Sequence, residues 1–371
     1  MPAQLDPGNA TNFNLDSVTK FEATSQQTDG PEAGKETEWI FPDFTRDFGY
    51  YKDVPELRSP IGAWATWVLA KGWDTKLTQD KVTIENWIGW GEDSANSIFW
   101  NMLVMKKVAG DSFAQILRND AGRVINLKPL STGRMRIIAG PDGMLKRYDY
   151  MDAAKKEVIH SFQLREIFHL CNDRVADEIH GNSVIGPLKE IIDSMNEAQQ
   201  DYRRLSHLST VRILYADEQD SAELAKMETQ YKKGVGPDGG NVVILPGSRK
   251  DYEFEDLKAP PVEAFTAWMR YLEDKFYRAI GFPKIGLGDA QGIPESGGIM
   301  SYVTYEPQFN RAITDLQDDC WNQLGMRITF EGPATLAPSV SNTQNKNIDQ
   351  TQPAQPSDTQ VQGSNQGAPS Q

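Results

Sequence analysis

A chain of 371 residues is long enough for one large or two small folded domains with a sizeable core. Its formal net charge of -14 and pI near 4.9 argue against a tight, static grip on nucleic acid, so any contact with DNA is expected to be local or transient. Cys171 and Cys320 lie far apart without CxxC spacing, and no run approaches the roughly 20 apolar residues of a membrane span; with a polar start, Met1 to Asp16, that lacks the layout of a signal peptide, this reads as a soluble intracellular protein with reduced thiols, no metal and no membrane partner.

Residues 1–38 and the end from about residue 331 are poor in large apolar side chains, and each reads as a flexible segment. The stretch from Trp39 to Trp100 is rich in tryptophan, and Ile98, Met102, Met105 and Val108 predict a core-packed helix ending at Gly110. Short β-prone runs follow, at Ser112 to Arg118, Val124 to Leu130, Arg134 to Ala139, Leu145 to Tyr150, Glu157 to Phe162 and Glu166 to Leu170. Asp120-Ala121-Gly122 and Pro141-Asp142-Gly143 supply turns, and this spacing favours an antiparallel meander.

A long helix comes next, with Ile185, Leu188, Ile192, Met195, Tyr202 and Leu205 on one stripe; from Val184 to Leu208 it would reach about 37 Å. β runs at Val211 to Ala216, Asn241 to Leu245 and Tyr252 to Leu257, with a short helix from Ser221 to Lys233, predict a small α/β insertion. A second long helix starts at Pro260-Pro261, carries Val262, Phe265, Met269, Leu272 and Phe276, and stops at Gly281 and Pro283. After a glycine-rich stretch from Gly281 to Gly298, a third helix holds Phe309, Ile313, Leu316 and Leu324, and Pro307 inside it predicts a kink.

Signatures of catalysis are missing: there is no GxxxxGK[ST] loop, no HExxH and no GxSxG elbow. The glycines from Gly286 to Gly292 follow a helix and not a strand, which removes the geometry of a dinucleotide loop. Asp142-Gly143 and Asp238-Gly239 read as turns before they read as edges of a metal site. His169, in an alternating run, reads as a packed histidine. Arg203, Arg204, Lys226, Lys232, Lys233, Arg249 and Lys250 form a basic group in an acidic chain, able jointly to meet phosphate or an acidic partner.

Three stretches in this order resemble the portal proteins of tailed bacteriophages, in the group that includes the HK97-like portals. They are Gly110-Asp111-Ser112-Phe113-Ala114-Gln115-Ile116 with Leu127-Lys128-Pro129-Leu130; Glu166-Ile167-Phe168-His169-Leu170 leading to Ile179-His180-Gly181-Asn182-Ser183-Val184-Ile185-Gly186-Pro187-Leu188; and Phe276-Tyr277-Arg278-Ala279-Ile280-Gly281-Phe282-Pro283.

The resemblance implies an α+β, non-enzymatic protomer. Its expected parts are an N-terminal arm (1–38), a β-meander and helix wing (39–182), a first stem helix (183–209), a small α/β clip (210–259), a second stem helix (260–281), a tunnel loop (282–298), a kinked wing helix (299–330), and a polar tail or reduced crown (331–371). It further implies a ring of about twelve copies, in which every interface is heterologous. Double-stranded DNA would pass through the channel, at a capsid vertex of the virion built from major capsid protein and assembled in the host cytoplasm. The terminase large subunit and a head-tail adaptor would dock there, and no cofactor is called for.

Gly288, Asp289, Gln291, Gly292, Glu295, Ser296 and Gly297 become candidates for the DNA-facing loop, Lys226, Lys232, Lys233, Arg249 and Lys250 for docking on the clip, and Arg203 and Arg204 for the stem. The rival expectations are a metal-dependent nuclease or other DNA-processing enzyme, and a minor capsid or head-completion protein.

Overall fold

The computed structural model describes residues 36–154, 157–208, 212–216, 222–223, 225–226, 229, 242–246, 254–256, 262–288 and 295–335. The expected N-terminal arm up to residue 35 and the tail beyond residue 335 lie outside the described residues, as does Asp238-Gly239. The chain divides into two units, one made of the chain up to Ala65 with Trp73–Lys189 and Leu316–Thr329, the other of Thr66–Gly72, Glu190–Asp315 and the chain from Phe330. None of the helices among the described residues is long and apolar enough to cross a membrane.

The first unit opens with strand β1 (Thr37–Ile40) and helices α1 (Phe44–Asp53) and α2 (Pro55–Val68), the last of which runs on into the second unit. Strand β2 (Trp73–Thr75) and helices α3 (Thr78–Glu85) and α4 (Ala95–Ala109) follow. Helix α4 begins where Ser94 Oγ accepts the Ser97 amide at 3.2 Å and ends at Gly110. Of its predicted stripe, Ile98, Met102 and Val108 are buried and Met105 half-buried, and the buried surface also takes in Phe99, Leu103 and Val104.

Six strands come next: β3 (Asp111–Arg118), β4 (Val124–Leu130), β5 (Met135–Ala139), β6 (Leu145–Met151), β7 (Val158–Gln163) and β8 (Ile167–Cys171). All pairings among them are antiparallel, but they do not form one meander. One sheet has the order β1-β5-β6-β7 and the other β4-β3-β8. Strand β8 therefore leaves its sequence neighbour β7 and pairs with β3, with Phe113 opposite His169. Strand β1 adds an edge that the sequence reading assigned to the flexible arm as far as residue 38.

Phe113 and Ile167 of the second sheet share one buried cluster with Met135, Ile137, Tyr148 and Phe162 of the first. Each such side chain contributes roughly 1.5–3 kcal/mol by leaving water, which is enough to decide the pairing over sequence proximity.

In the second unit lies helix α5 (Ile185–Leu208) from Glu190 onward, with strands β9 (Arg212–Ala216), β10 (Val242–Pro246) and β11 (Phe254–Asp256), helix α6 (Val262–Ile280), and helix α7 (Glu295–Asp319) as far as Asp315. The small sheet has the order β10-β9-β11, with β10 parallel and β11 antiparallel to β9. The 24 residues of α5 give about 36 Å of helix. Tyr202, late in α5, stacks on Phe265, early in α6, at 4.1 Å between ring centres.

Helix α7 contains Pro307 and continues through it. It begins at Glu295, four residues before the predicted start, and in the first unit it passes into a π-helical turn, Cys320–Leu324, closed by Gly325 with φ +73°. Strand β12 (Ile328–Phe330) then pairs with β2.

Candidate functional site

Two places gather the residues singled out in the sequence. The first is the segment between α6 and α7 in the second unit. Gly281, with φ +69°, ends α6, and Lys284–Leu287 form a single 3-10 turn after Pro283. Phe282 is buried against Trp67, whose ring also meets Tyr302, Tyr305 and Phe309 at 5.5 to 6.0 Å.

Lys284 turns back onto α6, with Nζ 3.0 Å from Asp274 and 3.4 Å from Glu273. Partial burial works against its charge, but the two carboxylates outweigh it and hold the ammonium pKa above the ordinary lysine value. The root of the segment is therefore fixed by an aromatic platform and an ion-pair fork.

Gly288 is exposed at φ +89°, a conformation that L side chains rarely adopt, and it closes the 3-10 turn. Asp289, Gln291 and Gly292 lie outside the described residues. Glu295, Ser296 and Gly297 belong to the first turn of α7, a correction to the expected loop ending at residue 298. The reason is tertiary: Gly298 is buried, and a Cβ on it would collide with the Ile285 side chain, so the small residue lets the 3-10 turn and the helix approach.

Among the expected docking residues, Lys226 is helical and exposed, whereas Lys232, Lys233, Arg249 and Lys250 lie outside the described residues. Arg203 and Arg204 lie on α5 near its end, with Arg203 exposed.

The second place, in the first unit, was not foreseen as a site: two of the quoted stretches converge on one buried crossing. Gly110 and Gly181 meet back to back, and a Cβ on Gly181 would lie 2.7 Å and 2.8 Å from Asn172 N and O and closer still to Gly110 O. The Asn172 amide donates to Gly110 O at 2.7 Å, and the Asn182 amide to Asn172 O at 2.8 Å. Ser183 Oγ donates to Val108 O at 2.7 Å and accepts from the Ile185 amide at 3.1 Å, tying the start of α5 to the end of α4.

Asp111 is buried at this crossing. Its Oδ1 accepts from the Gly181 amide at 2.9 Å and lies 2.9 Å from His169 Nε2, while Tyr148 Oη lies 3.0 Å from His169 Nδ1. Burial opposes a charge on His169, but the Cys171 sulfur, Tyr148 and the Asp111 hydrogen bond prevail and hold its pKa well above the ordinary value. The Gln323 side chain grips the backbone of the same residue, accepting from His169 N at 2.7 Å and donating to His169 O at 2.8 Å.

One oxygen, one nitrogen and one sulfur donor of Asp111, His169 and Cys171 lie within 4.8 Å of one another, a set that could hold a metal ion. Both imidazole nitrogens and the carboxylate are hydrogen-bonded, and His169 is buried, as expected for a packed histidine. Asp142 is a turn residue, its Oδ1 accepting from the Met144 amide at 3.2 Å beside Gly143 at φ +77°. Cys320 is buried and Cys171 half-buried, and both are free thiols.

Residues 92–297 match the model of the family described as phage portal protein. Among solved structures, the fold is similar to a chain in the neck of an empty gene transfer agent (GTA) particle computed with C6 symmetry; the TM-score is 0.58 at 14% identity, over 88% of this chain and 92% of that one. A chain in the native particle's neck, computed with C12 symmetry, gives 0.55 at 16% identity over 86% and 91%. One in the virion of the native particle gives 0.55 at 16% over 88% and 92%. At these identities the likeness is one of fold. No curated protein matches the sequence.

Proposed function

We propose, from the premise that this chain belongs to the phage portal protein family, that its copies close into a ring forming the DNA channel at one capsid vertex. The family is structural and not enzymatic. The observation that carries the reading is the matched span together with its internal order: two long helices, Ile185–Leu208 and Val262–Ile280, bracketing a small three-stranded sheet. In this reading the helices are the stem, the sheet and its insertion the clip, the two antiparallel sheets with α4 the wing, and residues 289–294 the tip of the tunnel loop.

The ring serves genome packaging, retention and ejection, with the terminase large subunit and a head-tail adaptor docking on the clip and major capsid protein around it. An acidic wall suits this role, because a lysine-lined lumen would gain counterion-release affinity for the duplex at every step and hold it still.

Native mass spectrometry and averaged particle images of the full chain test the proposal. The expected result is a closed ring of about twelve copies with an opening wide enough for a duplex; monomers under all conditions would refute it. Replacing residues 289–294 with a minimal turn is expected to leave rings intact and to impair packaging or retention of DNA. Charge reversal at Lys232, Lys233, Arg249 and Lys250 is expected to weaken capture of the motor or adaptor, and unchanged capture would remove those residues from the docking surface.

A further inference from the structure

The two long helices of the second unit carry unlike outer faces. On α5, Glu190, Asp193, Glu197 and Asp201 are all exposed, and their spacing of three, four and four residues puts them on one ridge. That ridge is opposite the buried stripe of Leu188, Ile191, Ile192 and Met195. On α6, Trp268, Tyr271, Lys275 and Arg278 are spaced three, four and three residues apart and are also exposed. Trp268 and Tyr271 keep 49% and 56% of their surface in solvent, although their rings stack on each other at 5.5 Å.

Neither face suits a helix that ends its life in water. Glu190 and Glu197, the first and third of this exposed acidic row, give α5 a negative face, and an exposed Trp and Tyr pair next to two cations has the composition that dominates binding at protein interfaces. Pairing of the acidic ridge with the same ridge of another copy would set like charges face to face, so two-fold pairing through it is disfavoured. It does complement the basic and aromatic ridge of α6, and a contact between unlike faces of identical chains is the kind that closes a ring.

We infer that the acidic ridge of α5 docks on the Trp268–Arg278 ridge of α6 in the next copy of this chain, and that this contact holds neighbouring stems together. The inference rests on the ring reading above and deepens it by naming the surfaces.

The test is a charge swap in the full-length chain. Glu190→Lys with Glu197→Lys, and separately Lys275→Glu with Arg278→Glu, are each expected to lower the fraction of chains in rings at least about tenfold by native mass spectrometry, and the combined variant to recover to within about threefold of the natural chain. Single-side variants that assemble as well as the natural chain, or a combined variant no better than its parents, overturn the inference.

A second measurement covers the case in which a variant misfolds. In rings assembled from mixed isotopically light and heavy natural chains, carbodiimide is expected to join an α5 carboxylate to Lys275 across copies, and rings without that mixed cross-link overturn the inference. A natural chain that stays monomeric at every concentration overturns the functional reading and this inference together, whereas normal rings from every variant overturn this inference alone.

Discussion

Replacing Gly181 by alanine probes the crossing beneath the start of α5. The new methyl would sit 2.7 Å and 2.8 Å from Asn172 N and O and nearer still to Gly110 O, all of them backbone atoms that cannot swing aside as a flexible side chain would. Forcing a methyl into such a site costs about 1–3 kcal/mol in strain. Any backbone shift that relieves it lengthens the 2.7 Å bond from Asn172 N to Gly110 O, worth about 1 kcal/mol, and the 2.9 Å bond from Gly181 N to the Asp111 carboxylate, worth about 1.5–3 kcal/mol.

Strain and lost bonds trade against each other, so the expected loss is about 3–5 kcal/mol, at the upper end for a single substitution. At about 2–4 °C per kcal/mol for a unit of this size, the first unit should melt about 6–20 °C lower in scanning calorimetry. Gly186→Ala is the control: it lies on the exposed first turn of α5 with nothing within 4 Å of its added methyl, and should change the melting temperature by no more than about 2 °C. A Gly181→Ala protein melting within about 2 °C of the natural chain would refute the reasoning, because the crossing would then be loose enough to admit a side chain.

Three further outcomes are expected. Because the folded pKa of His169 is raised, the native state binds a proton that the unfolded chain releases above about pH 6.5. Its stabilisation is thus complete below that pH and is lost as pH rises through the folded value, so denaturant midpoints should fall as pH is raised above about 6.5, and His169→Asn should flatten that slope. Asn126→Ala removes the side chain that accepts the Ile88 and Gly89 amides at 3.1 and 3.0 Å and donates to Gly89 O at 3.1 Å, leaving buried backbone groups unmet; a loss of about 2–4 kcal/mol is expected in urea titration. Lys284→Ala should cost at most about 1 kcal/mol, since its ion pairs are partly exposed, yet should raise hydrogen exchange at Ile285 to Gly288 by releasing the root of the segment.

Local rules made most elements legible. The 3.6-residue stripes of α5 and α6, Gly110 after α4 and the Asp142-Gly143 turn are written within a few residues of where they act. What escaped was long-range. Nothing near β8 says that it pairs with β3, which is decided by the shared burial of Phe113 and Ile167. Alternation around His169 predicted a buried histidine, but its partners Asp111 and Tyr148 are 58 and 21 residues away.

Gly110 and Gly181 stood in two quoted stretches with no sign that they touch. At residues 295–298 a Glu-Ser-Gly-Gly run reads locally as loop, and the close approach of Ile285 to Gly298 in the helix is not visible there. Much of the expected tunnel and docking chemistry falls on residues outside those described, so it rests on the functional proposal.

Gln323 holds both backbone groups of His169 from within the five-residue π turn that follows α7. A π turn amounts to one surplus residue in an α-helix, and it can be undone by a single deletion. Excising one residue from Cys320 to Leu324 would restore ordinary winding and swing the glutamine about 100° away, leaving β8, the last strand of its sheet, with an open border. Open borders recruit strands from other molecules. The surplus residue therefore keeps the backbone edge of β8 at His169 occupied within its own chain.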